Sequence, residues 1–596
     1  MTINKKYGIF NVFFICIRYA SAPSIFILLF TLICGFIPSV KVIAEASFIN
    51  NSILVLQDKQ PVDTAVFSIL VVTGFLALEQ ILQMASKYLR TIQLSKIRLN
   101  ICPEVFDRIS RLPLSEIESP STQNLLERVT TDVEAHFCNT FQNIILFMSQ
   151  IVTVMTLLFL LFTQIKWSAL IIVVVAAFLF KIAQKSGQAV YHVNRETSEA
   201  ERRTNYLQNV LTGKEFAEER ILFCFFNKLN KQWLENSEQV RKQKQKATRK
   251  WLIHMKSSSI ILIIILLFIM ASILPSVISG LVTVGFFISF TNAALNMTNL
   301  LSWSLTDVTQ SLAEEKEYMN DYSDFLALPQ EHIFSNTELQ KKYTVNTIEF
   351  RNVSFTYPNQ KKKILNHLSF RLEGNNHFAI VGSNGSGKTT MIKLLTGFYD
   401  NYEGDILING TELRNFDKSE IKQLFFVVSQ NYAKYQVSFE DNIALGNIGD
   451  FENTKQKIPK IIKEMKLENL YHNLPNEEKT LIGSIYEGGI DLSGGEWQKL
   501  SVSRVLTNNR PVVILDEPTA SLDPIIESEM FKDFGTAVQN RISILISHRL
   551  GSVKNAQQIL VLDDGCLVAM GNHNELYGQC KLYQEMFDKQ KSWYEK

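Results

Sequence analysis

Six apolar runs in the first half of the chain constrain its fold more than any other feature of the sequence. They cover residues 22–44, 64–84, 139–163, 167–180, 257–277 and 284–301 of the 596-residue chain. Most are close to the length that an α-helix needs to cross roughly 30 Å of hydrocarbon. The second half has the mixed composition of a soluble protein. We therefore predict a membrane domain of six transmembrane helices at 1–330, a linker at 331–345 and a soluble domain at 346–596.

The connections between the runs predict how the chain is oriented in the membrane. The first, third and fifth connections are short and carry few cations, whereas the second and fourth are long and basic, with clusters at 87–111 and 241–250. Because cations are retained on the cytoplasmic side, we expect a protein of the cell membrane with both termini and the soluble domain in the cytoplasm. Glu79, inside the second run, either serves a substrate or proton path or lies near a cleft or the membrane interface.

Charge and cysteine content argue against two kinds of site. The formal net charge is +2, which argues against general nucleic-acid binding. The seven cysteines are scattered and include no CxxC pair. They therefore favour buried small side chains over a zinc site or a disulfide framework.

A glycine-rich segment in the soluble half predicts a phosphate-binding loop. Residues 382–389 read GSNGSGKT and follow an apolar run at 378–381. The glycines allow successive backbone N–H groups to turn toward a phosphate at the start of a helix. Lys388 supplies a cation for the β and γ phosphates, and the Thr389 hydroxyl supplies a ligand for Mg²⁺. The predicted nucleotide-binding residues here are Gly382, Ser383, Asn384, Gly385, Ser386, Gly387, Lys388, Thr389 and Thr390.

Two carboxylates end a second buried-strand pattern at 510–517 and extend the predicted site for ATP or GTP. In P-loop proteins an Asp in the position of Asp516 holds Mg²⁺. The adjoining Glu517 can orient and polarise the attacking water. Tyr357 ends a strand-rich segment before the loop and is either a plain strand-end aromatic or the flat partner that stacks on the nucleotide base.

A second glycine-containing turn, LSGGE at 492–496, opens a predicted helix and forms another anion site. One chain does not need two phosphate sites for one ATP. The arrangement resembles the ATP-binding cassette (ABC) transporter family, in which this signature segment of one subunit closes over the ATP held by the other. Glu496 stands where the family more commonly has Gln.

The resemblance continues motif by motif from 348 to about 585 and implies a role for each matching residue. Tyr357 matches the base-stacking loop, Gln430 the Q-loop that senses Mg²⁺, and 521–523 the D-loop. His548 matches the switch histidine near the γ-phosphate. The implied roles are catalytic for Glu517, His548 and Gln430, metal-binding for Thr389, Gln430 and Asp516, and nucleotide-binding for Tyr357, Ser493, Gly494 and Gly495.

The same resemblance implies the fold class and the partners. It implies an all-α membrane domain of the exporter type with six transmembrane helices, fused to an α/β P-loop nucleotide-binding domain with an antiparallel β subdomain and a helical subdomain. Such a half-transporter hydrolyses ATP with Mg²⁺ and works as a dimer, either a homodimer or a pair with a different half-transporter. Short elements at 119–126 and 212–220 would be coupling helices that touch the nucleotide-binding domain near Gln430.

The cargo is predicted from two further segments. Residues 492–498 and 213–223 are similar to segments of exporters of lantibiotics and related modified bacterial peptides. A lipid or multidrug exporter is the alternative. A cytosolic ABC ATPase is disfavoured by the six apolar runs. An importer is disfavoured because importers usually keep the membrane domain on a separate chain.

Overall fold

The computed structural model describes residues 7–164, 200–280, 282–331, 343–358, 360–517, 535 and 541–594. The chain divides into two compact units. The first comprises Met1–Ser110 and Pro120–Leu328, and the second comprises Arg111–Ser119 and Pro329–Lys596. A nine-residue piece of the first half therefore belongs to the unit that holds the second half.

Helices make up the described part of the first half of the chain. A 3₁₀ turn lies at Lys214–Phe216, and a π-helical turn lies at Leu300–Ser304. The helices are α1 (Ile9–Tyr19), α2 (Ser21–Leu56), α3 (Val62–Ser110), α4 (Leu114–Ile117), α5 (Pro120–Thr130), α6 (Val133–Gln164), α7 (Ala217–Phe223), α8 (Phe226–Ile278), α9 (Val284–Asn299) and α10 (Leu305–Ala327).

Three helices among the described residues are long and apolar enough to cross a membrane: α2, α3 and the part of α6 at Val133–Leu160. The fifth apolar run lies in α8, and α9 holds most of the sixth. The fourth run, 167–180, lies outside the described residues. The predicted helical membrane domain is confirmed, whereas the count of six spans stays a prediction.

Two apolar cores hold the helices of the first unit together. One joins α1, α3, α6 and α10 through buried side chains that include Val12, Ile97, Phe137 and Phe325. The other joins α2, α6, α8 and α9 through Val42, Leu157, Ile273, Phe290 and Ala293. Because the first core includes the ends of helices that extend beyond the apolar runs, packing and not the membrane alone orders those extensions.

A glycine allows α2 and α9 to approach closely. The backbone N–H of Gly285 donates to Asn50 Oδ1 (2.9 Å), and Asn50 Nδ2 donates to the Thr283 hydroxyl (3.0 Å). A Cβ at Gly285 would collide with the carbonyl oxygen of Ala46 and lie 2.5 Å from Asn50 Oδ1. Small residues at such crossings let helix backbones come together and hydrogen-bond where lipid offers no other partner.

The second unit contains two β-sheets. The strands are β1 (Thr347–Phe355), β2 (Leu365–Glu373), β3 (His377–Gly382), β4 (Glu403–Ile408), β5 (Thr411–Glu412), β6 (Phe425–Val428), β7 (Val512–Asp516), β8 (Ile542–Ile546), β9 (Gln558–Asp563) and β10 (Cys566–Gly571). A four-stranded antiparallel sheet has the order β2-β1-β4-β5, and a six-stranded sheet has the order β10-β9-β3-β8-β7-β6. In the larger sheet the pairs from β9 to β6 are parallel, and β10 pairs with β9 antiparallel.

Helices of the second unit form a helical subdomain. Its core includes the buried Trp497, Phe439, Ile461 and Leu500 and continues into β6 and β7. The predicted α/β fold with an antiparallel and a helical subdomain is therefore confirmed. The helices are α11 (Lys388–Leu395), α12 (Lys418–Leu424), α13 (Phe439–Ala444), α14 (Phe451–Glu464), α15 (Glu468–His472), α16 (Gly494–Ser503), α17 (Leu550–Val553), α18 (His573–Gln579) and α19 (Lys581–Tyr594).

The close crossing of α2 and α9 predicts that a larger residue at Gly285 destabilises the protein. We expect Gly285→Ala to lower the free energy of unfolding by about 1–3 kcal/mol, because the new methyl group overpacks the crossing. Gly74→Ala is the matched control, since no atom lies within 4 Å of its added Cβ. Thermal unfolding of the full chain in detergent measures both, and equal melting temperatures for the two variants would contradict the close approach.

Candidate functional site

The phosphate-binding loop lies between β3, which ends at Gly382, and α11, which begins at Lys388. Gly387 has a φ of +96°, in the left-handed region that favours glycine, and a Cβ there would lie 2.5 Å from Leu365 Cδ2. A Cβ at Gly382 would collide with the carbonyl oxygen of Leu562. The loop therefore needs glycine at both ends to pack against β2 and β9.

Lys388, the first residue of α11, is folded against the loop with only 6% of its surface exposed. Its Nζ donates hydrogen bonds to the carbonyl oxygens of Gly382 (3.0 Å) and Ser383 (2.9 Å). Burial lowers the pKa of Lys388, while the carboxylates of Glu517 and Asp516 act in the opposite direction. The ammonium is thus placed where a phosphate held by the loop would meet it.

One cavity of about 540 Å³ opens beside the loop, a volume typical of small-molecule sites. All three residues with predicted catalytic roles line it, together with most of the predicted loop residues. The lining residues are Tyr357, Gln360, Ile364, Asn384, Gly385, Gly387, Lys388, Thr389, Thr390, Gln430, Glu517 and His548. Sequence reasoning missed Gln360 and Ile364, because neither belongs to a recognisable motif.

Glu517 is held by hydrogen bonds from two other cavity residues. Its Oε2 accepts from Gln430 Nε2 (2.8 Å), and its Oε1 contacts His548 Nε2. Its backbone has a φ of +49°, and its N–H donates to the carbonyl oxygen of Ile546 (3.0 Å). The carboxylate is therefore fixed in direction from both the side chain and the backbone.

Electrostatics favour a neutral His548. Burial is the main cause of its lowered pKa, and the charge of Lys388 adds to it, while the Glu517 carboxylate only partly opposes them. A neutral imidazole that donates from Nε2 to Glu517 retains Nδ1 as an acceptor. In this arrangement Glu517 is the hydrogen-bond acceptor of the pair.

Asp516 has the properties of a metal ligand. It is 3% exposed, and its Oδ1 is buried without a hydrogen-bond partner among the described residues. Burial raises its pKa to about 6, while a hydrogen bond from Thr389 and the nearby Lys388 act to lower it. A buried carboxylate oxygen with no partner, beside a threonine hydroxyl, is the hard oxygen donor set that a divalent cation such as Mg²⁺ takes.

The far end of the cavity is aromatic. The Tyr357 ring contacts Phe355 and Tyr399 edge to face, with ring centroids 5.0 and 5.3 Å apart, and its hydroxyl lies 3.1 Å from Thr390 Oγ1. Lys393 Nζ lies 5.6 Å from the centre of the Tyr357 ring. Tyr357 is thus a fixed, half-buried ring at the cavity wall, as a base-stacking residue requires.

This aromatic end is linked to the segment Arg111–Ser119, which lies in the same unit. Glu118 Oε1 forms an ion pair with Lys393 (2.7 Å), and Glu118 Oε2 accepts from the Tyr399 hydroxyl. These bonds lower the pKa of Glu118, although partial burial raises it. Glu118, just before α5, therefore contacts Lys393 and Tyr399 beside the Tyr357 ring.

The signature segment does not line this cavity in a single chain. Ser493 and Gly494 are exposed, and Ser493 is the N-cap of α16. The structure thus brings Lys388, Thr389, Gln430, Glu517 and His548 together and leaves Ser493, Gly494 and Gly495 outside. The predicted D-loop, 521–523, lies outside the described residues.

Comparison with protein families matches both halves of the chain. A profile described as ABC transporter matches residues 365–520. A profile described as ABC transporter transmembrane region matches residues 24–301. The membrane and nucleotide-binding regions are therefore joined on one polypeptide.

Several curated proteins are similar over most of their length. The subtilin transport ATP-binding protein SpaT of Bacillus subtilis is 31% identical over 562 residues, which cover 94% of this chain and 90% of that protein. The nisin transport ATP-binding protein NisT of Lactococcus lactis subsp. lactis is 28% identical over 489 residues, 80% of each. The ATP-dependent lipid A-core flippase of Escherichia coli strain K12 is 27% identical over 522 residues, 87% of each.

A solved structure supports the fold. A bacterial Atm1-family ABC exporter with ATP bound superposes with a TM-score of 0.74 at 20% identity, over 96% of this chain and 98% of that one. At this identity the likeness concerns the fold, and it confirms the predicted exporter architecture.

The raised pKa of Asp516 predicts a pH-dependent metal affinity. Below about pH 6 the carboxyl is protonated and must release its proton to bind a cation, so affinity should fall about tenfold per pH unit there and level off above it. Binding of Mn²⁺ to the purified full chain, followed by electron paramagnetic resonance, measures this. Asp516→Asn, which cannot titrate, gives the background from other carboxylates. The same background-corrected affinity at pH 5 and pH 7 would contradict the assignment.

Proposed function

Because the chain belongs to the ABC transporter family and carries its membrane region and nucleotide-binding region on one polypeptide, we propose that it is a half-size exporter of a modified peptide that works as a dimer. ATP hydrolysis drives its transport, and it resides in the cell membrane with the nucleotide-binding unit in the cytoplasm. The cargo, the dimer and the residue roles are the proposed parts.

The observation that carries the catalytic proposal is the convergence of Lys388, Gln430, Glu517 and His548 on one cavity. The loop N–H groups and Lys388 bind the phosphates of ATP, and the Tyr357 ring stacks on its base. Thr389, Gln430 and Asp516 would hold Mg²⁺, which would supply positive charge to stabilise the phosphates of ATP.

Glu517 prepares the water that attacks the γ-phosphate. Its carboxylate accepts hydrogen bonds from Gln430 and His548, so it is aimed into the cavity. When a water replaces one of these donors, Glu517 orients it and takes its proton. His548 then donates from its ring to the phosphate charge that develops, and Lys388 stabilises the same charge.

A second chain completes each site in this proposal. Ser493 and Gly494 are exposed and Gly495 is half-buried at the start of α16, and none of the three lines the cavity of its own chain. In a dimer the signature segment of one protomer closes over the ATP of the other, and this contact exists only in the closed state. A homodimer then has two equivalent sites, whereas a pair with a different half-transporter has two unlike sites.

Closure in turn drives transport through the cytoplasmic loops. Glu118 connects the segment Arg111–Ser119 to the Tyr357 end of the cavity through Lys393 and Tyr399. Tyr357 contacts Lys393 and Tyr399, and both of these contact Glu118. A change at the base-binding end can therefore reach the loop that leads into the membrane helices. ATP binding is in this way coupled to the change from an inward-open to an outward-open cavity.

The proposed role of Glu517 predicts the behaviour of Glu517→Gln. The amide cannot accept a proton, so kcat for ATP hydrolysis should fall about 100-fold or more while ATP still binds and holds the dimer closed. Steady-state hydrolysis and retention of radiolabelled ATP on a gel-filtration column measure the two effects. Glu452→Gln, an exposed carboxylate in the first turn of α14, is the control. Hydrolysis by Glu517→Gln at the wild-type rate would refute the role.

The cargo proposal rests on similarity to transporters of subtilin and nisin, both lantibiotic peptides. The lipid A-core flippases are also similar, so lipid is the second candidate. Deletion of the gene in its host should leave a modified peptide inside the cell, and the intact gene but not the Glu517→Gln allele should restore its export. Mass spectrometry of cells and medium measures this.

A lipid assay separates the two candidates. Purified protein in liposomes, supplied with Mg²⁺ and ATP, is tested for movement of a fluorescent phospholipid between leaflets. Unchanged peptide export in the deletion strain together with ATP-dependent lipid movement would replace the peptide proposal with the lipid one.

A further inference from the structure

At the start of the signature helix α16, Ser493 and Glu496 are hydrogen-bonded to each other. The Glu496 carboxylate Oε2 accepts hydrogen bonds from the Ser493 backbone N–H (2.8 Å) and from the Ser493 hydroxyl (2.7 Å). In return the Ser493 oxygen accepts from the Glu496 backbone N–H (3.4 Å). This is a capping box in which the side chain of the third helical residue is charged.

The pair uses the one proton that the Ser493 hydroxyl can donate. That proton goes to a carboxylate, and a hydrogen bond to a charged acceptor is roughly twice as strong as one between neutral groups. Ser493 is exposed and Glu496 is half-buried, so a second molecule can reach both. Ser493 can donate to another anion only after its hydroxyl leaves Glu496.

Glu496 also changes the electrostatics of the helix end. The N-terminus of an α-helix carries a partial positive charge that favours an anion. Glu496 places a carboxylate in this first turn, which also contains Gly494 and Gly495. An incoming phosphate therefore meets a negative charge at the position that would otherwise attract it.

On the basis of the dimer described under Proposed function, we propose that Glu496 is a positioning residue that opposes ATP-driven closure. It holds the Ser493 hydroxyl and occupies the positive end of α16, so the γ-phosphate bound by the partner must displace it. Glutamine at this position accepts the same two bonds through its amide oxygen but carries no charge. The chain consequently needs a higher ATP concentration for closure than its Glu496→Gln variant.

The test compares ATP hydrolysis by the purified full chain and by Glu496→Gln at two ionic strengths. At about 0.01 M, where charges interact over a Debye length of about 30 Å, KM for ATP should be about three- to tenfold lower in the variant, with kcat changed less than about twofold. At about 1 M, where salt reduces the Debye length to about 3 Å, the two KM values should converge. A purely structural cap would not produce this salt dependence.

Three further variants separate charge from capping. Glu496→Asp keeps the charge and should keep the high KM at low ionic strength. Glu496→Ala removes both charge and cap, so it should combine a low KM with a lower melting temperature. Glu452→Gln removes an exposed carboxylate elsewhere in the helical subdomain and should change neither quantity.

Two outcomes would overturn the inference. One is a KM for Glu496→Gln within twofold of the wild type at about 0.01 M ionic strength, and the other is a lower KM that persists unchanged at about 1 M. If Glu517→Gln abolishes hydrolysis in the same preparation, either result overturns only the role of Glu496 and leaves the proposed function standing. If Glu517→Gln hydrolyses ATP at the wild-type rate, the proposed function itself fails.

Discussion

The hydrogen-bonded order of four parallel strands is the constraint on which the nucleotide site depends. Strands β3, β8, β7 and β6 are neighbours in one sheet, and parallel neighbours end at the same edge. The phosphate loop follows β3, His548 follows β8, Asp516 ends β7 with Glu517 directly after it, and Gln430 follows β6. Every residue of β7 is buried, so its register is fixed by packing on both faces. Residues distant in sequence therefore meet because the strands that carry them are neighbours in the sheet.

Local chemistry explains how much of the site could be predicted from the sequence. The loop at 382–389 and the pair Asp516 and Glu517 are each contained in a few consecutive residues, so their type and spacing were enough to identify them. The bonds from Gln430 and His548 to Glu517 depend on which strands lie side by side, and hydrophobic periodicity does not encode strand order. Their geometry had to come from the structure.

The same limit applies to the membrane half. Apolar runs predict helices because a lipid-exposed backbone must satisfy its own hydrogen bonds. They do not reveal which polar side chains pair between helices, such as Gln93 with Ser24 or Asn50 with Thr283. The coupling helix expected at 119–126 stays a prediction, and the structure adds Glu118, just upstream, which bonds Lys393 and Tyr399. A short helical pattern shows that an element exists, and only tertiary packing shows which side chains make contacts.

The left-handed backbone of Glu517 has a consequence for how the site can evolve. A non-glycine residue in this conformation carries strain of about 1–3 kcal/mol, which persists only where the surroundings hold it. Here the bond from its N–H to Ile546 and the buried β7 hold it. Glycine would release the strain but lose the carboxylate, and a β-branched residue would increase the strain. The position therefore accepts few side chains for reasons of backbone conformation alone, independently of the chemistry that the carboxylate performs.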